Sequence, residues 1–234
     1  MHIRLATTAD VVEVAAVHTA AFSTDNFFGF FCPGRKEHPA DYKEWAVTAL
    51  HQHLRDPRRA VLVAVADAED FVPIPGKPQV TGNPGKIVGL VVWWLWALDP
   101  ASAATSVALD IPRPSSPGPK ISPDNKASSK ENWALFEATV HAKLQALFAT
   151  EHTVNWHLHW LATHPGWHGR GAGSLLVNWG FEQAARERLA VVVETANARA
   201  FYLKTGFEDL GESTIGPVTM NVLIRRPEVG EQKE

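Results

Sequence analysis

Two spacings of apolar residues alternate along this chain and mark out its elements. Residues 2–6 read as a first strand, and Val11, Val14, Ala15, His18, Ala21 and Phe22 then recur every three or four positions, one helical stripe. Thr7-x-x-Asp10 precedes it with the spacing of a capping box. A second helix over 41–54 carries Tyr42, Trp45, Ala46, Ala49 and Leu50 on one side. Residues 60–66 and 87–96 are unbroken apolar runs, the pattern of strands buried on both faces. Ser128-x-x-Glu131 opens a helix whose Trp133, Phe136, Val140, Leu144, Leu147 and Phe148 form its stripe. In 156–163, Trp156, Leu158, Trp160 and Ala162 alternate with His157, His159, Leu161 and Thr163, predicting a strand with two unlike faces. The helix expected over 172–189 turns Leu175, Leu176, Trp179 and Ala184 inward and Glu182, Arg186, Glu187 and Arg188 outward. A short strand over 191–195, a short helix over 197–205 closed by Gly206, and a late strand over 218–224 complete the series.

The intervals are of three kinds. Residues 23–39 are turn-rich and carry Phe27, Phe28, Phe30 and Phe31, rings that either close the core or shape a site. Residues 68–86 hold prolines and glycines that mark a loop or hairpin extension. The stretch 101–129 contains Pro112, Pro114, Pro117, Pro119 and Pro123 among many serines, so it should lack regular structure, as disorder or as a lid. With no internal repeat, the chain reads as one domain, 1–234, with an insertion at 101–129. Its alternating strands and helices give an α/β or α+β class with a mixed sheet.

Composition narrows the functional classes. At 234 residues with 45% hydrophobic and 20% charged, the chain can bury a sizeable core. A formal net charge of −3 offers no basic footprint for nucleic acid. The apolar run 87–98 is too short to span a bilayer, and the first twenty residues interleave His2, Arg4, Asp10 and Glu13, so a cytoplasmic protein without a membrane partner is expected. A lone Cys32 forms no internal disulfide and, beside Phe30 and Phe31, reads as a packed side chain before a nucleophile.

The chemistry concentrates where the strand 156–163 ends. Pro165 and Gly166 stop the ladder, and Gly169, Gly171 and Gly173 follow at spacing two before a helix opens near Ala172. Glycines let an anion approach the backbone, and the first N–H groups of the helix are unpaired at its positive end. The elbow therefore reads as an anion hole, to which Arg170 adds a charge. The alternative is a strand–helix turn that needs glycine for its geometry alone. A Walker A loop is excluded because Ala172 and Gly173 stand where Lys and Ser/Thr belong, and a dinucleotide fingerprint meets Ser174 or Leu176 where glycine is due.

His168-Gly169-Arg170-Gly171-Ala172-Gly173 resembles the Q/R-x-x-G-x-G/A signature of the GCN5-related N-acetyltransferase (GNAT) superfamily, with His168 in place of Gln or Arg. Phe201-Tyr202-Leu203-Lys204-Thr205-Gly206-Phe207 is similar to the family's Y-x-x-x-G-F ending, and Ile3-Arg4-Leu5-Ala6-Thr7-Thr8-Ala9-Asp10 to its I-R-x-A-T-x-x-D opening. These matches span most of the chain in order, and the organisation resembles fungal members most. The resemblance implies a mixed, mostly antiparallel sheet flanked by helices, with a V-shaped splay between strands four and five. It implies acetyl-CoA as cofactor and transfer of its acetyl group to a primary amine, by direct attack with backbone stabilisation of the oxyanion. Coenzyme A would then meet Leu161, Ala162 and Thr163 along the strand edge, His168, Gly169, Arg170, Gly171, Ala172, Gly173 and Ser174 at its diphosphate, and Tyr202 near its thiol, with Asn197 a further contact.

Such a transfer needs an acid for the departing thiolate and a base for the ammonium. The resemblance implies Tyr202 as the acid, against a tyrosine packed between helix and sheet. For the base, His157, His159 and Glu194 stand as alternatives, since histidine is half-deprotonated near neutrality and Glu194 could act through water. His157-x-His159 also has a spacing open to a metal, but nothing supplies a third ligand, and no metal is expected. The leading expectation is an enzyme acting on a small-molecule amine. Trp93, Trp94, Trp96 and the 27–31 rings suggest an aromatic or apolar acceptor, or else simply core. The rival is an acyl-CoA-binding regulatory module without turnover.

Overall fold

The computed structural model describes residues 1–97, 109–148 and 154–227. Its frame is one seven-stranded sheet, ordered β1-β2-β3-β4-β5-β7-β6. The strands are β1 (His2–Leu5), β2 (Arg59–Val65), β3 (Ile87–Ala97), β4 (Val154–Thr163), β5 (Ala190–Thr195), β6 (Glu208–Ile215) and β7 (Val218–Arg225). Among the described residues six α-helices pack around it: α1 (Val11–Ala21), α2 (Asn26–Phe31), α3 (Pro39–Arg55), α4 (Lys130–Phe148), α5 (Ala172–Glu187) and α6 (Arg199–Lys204). Every neighbouring pair of strands is antiparallel except β4 and β5. The mixed, mostly antiparallel α/β architecture is the one the sequence led us to expect.

The apolar runs of β2 and β3 are unbroken because both faces are covered. Leu62, Ala64, Val91 and Trp93 pack beneath α5, whereas Val61, Val63, Leu90 and Val92 pack against α1 and α3. Asp10 accepts the Thr7 backbone N–H at 2.7 Å and anchors Arg4, so the expected box does start the first helix.

The strict alternation expected of 156–163 fails at one residue. Between β3 and β4 the register steps from Val92↔Trp160 to Trp93↔Leu158, leaving His159 as a β-bulge. The extra residue reverses the parity of the strand. Trp156 and Leu158 lie under α5, while Trp160 and Ala162 face α1 and α3. His157 is thereby separated from Leu161, which packs on the α5 side.

The pairing of β4 with β5 ends at His157↔Val192. From there β4 continues to Thr163 and β5 to Thr195 without each other, which is the expected V-shaped opening.

Other expectations shift in detail. Residues 23–39 contain the helix α2, started by Asp25, whose carboxylate accepts the Phe28 N–H at 2.9 Å. The cap of α4 is Ser129, whose hydroxyl accepts the Asn132 N–H, one residue after the predicted Ser128. Leu175 is 37% exposed, because Gly180 and Leu176 supply the inner face of α5. Strand β6 went unpredicted, since EDLGESTI has little apolar pattern and lies at the sheet edge.

The 109–129 part of the proline-rich stretch has no helix or strand, as its composition implies. It is nevertheless tied to the body: Arg113 donates to the Arg59 and Pro57 carbonyls, Arg55 to the Ser116 carbonyl, and Asn125 to Asp41 and Glu44 on α3. Residues 101–108, the tail 228–234 and the side chains of Val140, Leu144, Leu147 and Phe148 lie outside the described residues. Cys32 is fully buried, and desolvation pushes its thiol up to about 12, so it packs and is no nucleophile. Among the described residues no helix is long and apolar enough to cross a membrane.

Candidate active site

The elbow between β4 and α5 has the shape an anion requires. Gly169 and Gly171 take φ of +69° and +92°, the left-handed region that favours glycine. Around them, the N–H groups of residues 169–174 have no acceptor among the described residues, and the first bond of α5 is Leu175 N–H to the Gly171 carbonyl at 3.0 Å. A Cβ on Gly171 would meet nothing within 4 Å, so the cradle is open where a ligand would lie. Its donor set, backbone N–H groups at a helix N-terminus, suits a diphosphate.

The side chains of the elbow brace it. His168 Nε2–H donates to the Thr163 carbonyl at 2.9 Å, the ring folding back on the end of β4. Arg170 donates to the Pro78 carbonyl at 2.6 Å and lies over Trp167, leaving Nη1 without a partner. That contact brings the 68–86 excursion against the elbow, where the Lys77 ammonium sits beside Gly169. The pattern of the sequence gave no sign of Lys77, because its neighbourhood depends on the loop's path.

At the apex of the splay lies a cavity of about 160 Å³. His157 and His159 of β4, Glu194 of β5 and Tyr202 of α6 all line it, as do Leu161 and Asn197. The sequence-predicted catalytic candidates thus converge from three elements, whereas the elbow residues 168–174 are not on the cavity's lining. His157 Nε2 and Glu194 Oε2 are 2.5 Å apart, with both side chains under a tenth exposed. Glu194 Oε1 and His157 Nδ1 are buried without partners among the described residues. A carboxylate oxygen accepts from an imidazole N–H, so in this contact the ring presents Nε2 to Glu194 and leaves Nδ1 as its other nitrogen.

His159 differs. It stacks on Trp160 with centroids 5.7 Å apart and meets His53 edge-on at 5.1 Å. Burial, with Arg59 nearby, holds its pKa well below the usual imidazole range, so it stays neutral. Burial also raises the Tyr202 phenol above its ordinary value, and its hydroxyl remains protonated.

Six aromatic side chains, Phe22, Phe27, Phe28, Trp133, Phe136 and Trp160, also line the cavity, together with Leu158, Val193, Thr195, Ala196 and Ala198. Trp93, Trp94 and Trp96 are not part of it; Trp93 packs under α5 and Trp94 beneath Arg59. Of the 27–31 rings, Phe31 is core while Phe27 and Phe28 face the cavity. At the rim Asp25, which no sequence pattern singled out, accepts the Asn197 amide at 2.5 Å. Asn197, expected near the cofactor, is thus engaged at the cavity mouth.

Comparison with known proteins agrees with this geometry. Residues 135–209 match the acetyltransferase (GNAT) domain family. An acetyltransferase from the fungus Stachybotrys chartarum is 24% identical over 212 residues, covering 90% of this chain and 81% of the relative. A structure described as histone acetyltransferase HPA2 and related acetyltransferase, from Corynebacterium glutamicum, superposes with a TM-score of 0.59 at 19% identity, over 97% of this chain and 96% of the other. The polyamine N-acetyltransferase of Drosophila melanogaster, an enzyme forming N-acetylagmatine, gives 0.56 at 12% identity, over 96% and 98%.

Proposed function

We propose that this chain, whose residues 135–209 match the acetyltransferase (GNAT) domain family, is an acetyl-CoA-dependent enzyme that acetylates the primary amine of a small molecule by direct attack. The observation that carries the reading is the buried His157–Glu194 pair at the apex of the splay. Glu194 orients the imidazole through Nε2–H and stabilises the imidazolium, while His157 Nδ1 takes the ammonium proton. Tyr202, kept protonated by burial, supplies the proton the departing thiol needs. His159 is a neutral wall residue in this scheme, and of the three base candidates His157 is preferred.

The backbone N–H groups of residues 169–174 would hold the coenzyme's diphosphate, with Lys77 adding charge beside them. The edge of β4 over Leu161, Ala162 and Thr163, unpaired on the β5 side, would pair with the pantetheine amides and offer an N–H to the developing oxyanion. When bound, acetyl-CoA supplies an activated acyl carbon; the chain supplies position, the proton sink and the acid.

The test is release of free thiol from acetyl-CoA across a panel of amines. Acceleration by at least one amine is expected. Tight binding of acetyl-CoA with no amine-dependent release would refute catalysis and favour a binding module. Glu194→Gln should lower kcat by about 10²-fold near neutrality, with most of the loss recovered at a pH where the acceptor amine is already deprotonated. A loss equal at all pH values would make Glu194 merely structural.

A further inference from the structure

We infer that the acceptor amine is carried on a compact apolar body, a single aromatic ring on a short alkyl arm, and not on a polyamine or an amino sugar. The inference rests on the acetyl transfer proposed above and adds the substrate class. Its basis is the division of the cavity into two unlike ends. The polar part holds His157 and Glu194, with Asp25, Thr195 and Asn197 also on the lining; six rings, Phe22, Phe27, Phe28, Trp133, Phe136 and Trp160, supply its largest side chains.

These rings form a mutually packed set. Phe22 and Phe28 lie 4.4 Å apart, Phe27 meets Phe28 and Phe136 edge-on at 5.4 Å, and Phe28 meets Trp160 at 6.1 Å. Edge-to-face geometry of this kind extends naturally to one more ring. Size agrees as well. The cavity's roughly 160 Å³ is close to the ~150 Å³ of an apolar protein cavity that accommodates benzene.

Charge argues the same way. Beyond His157, His159 and Glu194, the cavity's lone ionisable carboxyl is Asp25, and both its oxygens are engaged, one with the Phe28 N–H and one with the Asn197 amide. A second ammonium, or the several hydroxyls of a sugar, would give up water against six aromatic rings and have few polar groups to replace it, and that desolvation is costly. The ammonium that reacts is matched: an aromatic face attracts a cation, and Glu194 lies where the proton must leave.

The experiment measures kcat/KM by thiol release from saturating acetyl-CoA with 2-phenylethylamine, putrescine and kanamycin. For 2-phenylethylamine the value should exceed the others by at least about tenfold. Phe27→Asp, which sets a carboxylate among the rings, should reduce that ratio about tenfold or more without changing acetyl-CoA affinity; Phe27→Leu, with an intact thermal transition, should raise KM for 2-phenylethylamine a few-fold. Equal or better use of putrescine or kanamycin overturns the inference while leaving amine acetylation intact. Binding of acetyl-CoA without turnover of any amine overturns both.

Discussion

Gly171 separates the effect of ligand charge from the effect of backbone strain. Its φ of +92° penalises any L-residue, by about 1–2 kcal/mol in the left-handed region and less for Asn and Asp. No protein atom lies within 4 Å of an added Cβ, so packing adds nothing to that penalty. Gly171→Asn and Gly171→Asp should therefore lose similar stability, and their difference isolates charge. A carboxylate about 6 Å from a diphosphate with about two charges, at an effective dielectric near 40, is opposed by about 3 kcal/mol. That corresponds to roughly 100-fold in Kd, an effect that shrinks as salt screens it over about 10 Å at 0.1 M. Calorimetric titration of acetyl-CoA into both variants at low and high salt reads the difference directly. Equal affinities for the two variants at low salt would refute the diphosphate assignment of the elbow.

Three further outcomes follow from other parts of the molecule. Tyr202→Phe should lower kcat by about 10²-fold with acetyl-CoA affinity unchanged, and a parallel loss in both would make the residue structural. Gly180→Ala would gain about 1 kcal/mol in an open helix, but here the new Cβ lies 2.1 Å from the buried Trp93 indole, so a net loss of about 1–3 kcal/mol is expected in urea unfolding. His18, fully buried among Phe22, Phe28, Tyr42, Trp45 and Trp160 with both nitrogens unpartnered, has its pKa lowered by burial to about 3. A depressed histidine stays neutral in the fold while the unfolded chain gains a proton below about 6.5, so stability falls as pH drops from there towards 3, by about 2 kcal/mol at pH 5. His18→Leu should flatten that acid limb, and an unchanged slope of unfolding free energy against pH would count against it.

Local chemistry was legible wherever neighbours in sequence remain neighbours in space. The turn at the glycines of 169–173, the Thr7–Asp10 box, and the runs of β2 and β3 depend on nearby residues, so their local structure could be read from spacing. The missed helix α2 shows the limit, because its NFFGFF run is short and its aromatics are sorted between core and cavity only by packing.

The sequence by itself therefore determined most of the elements, their class and the glycine elbow after β4, since turn chemistry and periodicity are properties of adjacent residues. Tertiary structure decided what the site contains. One bulged residue, His159, reverses the faces of β4, and the parallel pairing stops at His157, so His157 meets Glu194 from a strand that is distant in sequence. Lys77 reaches the elbow and Asp25 the rim for the same reason: register and loop path are set by burial across the whole sheet, and no local pattern encodes them.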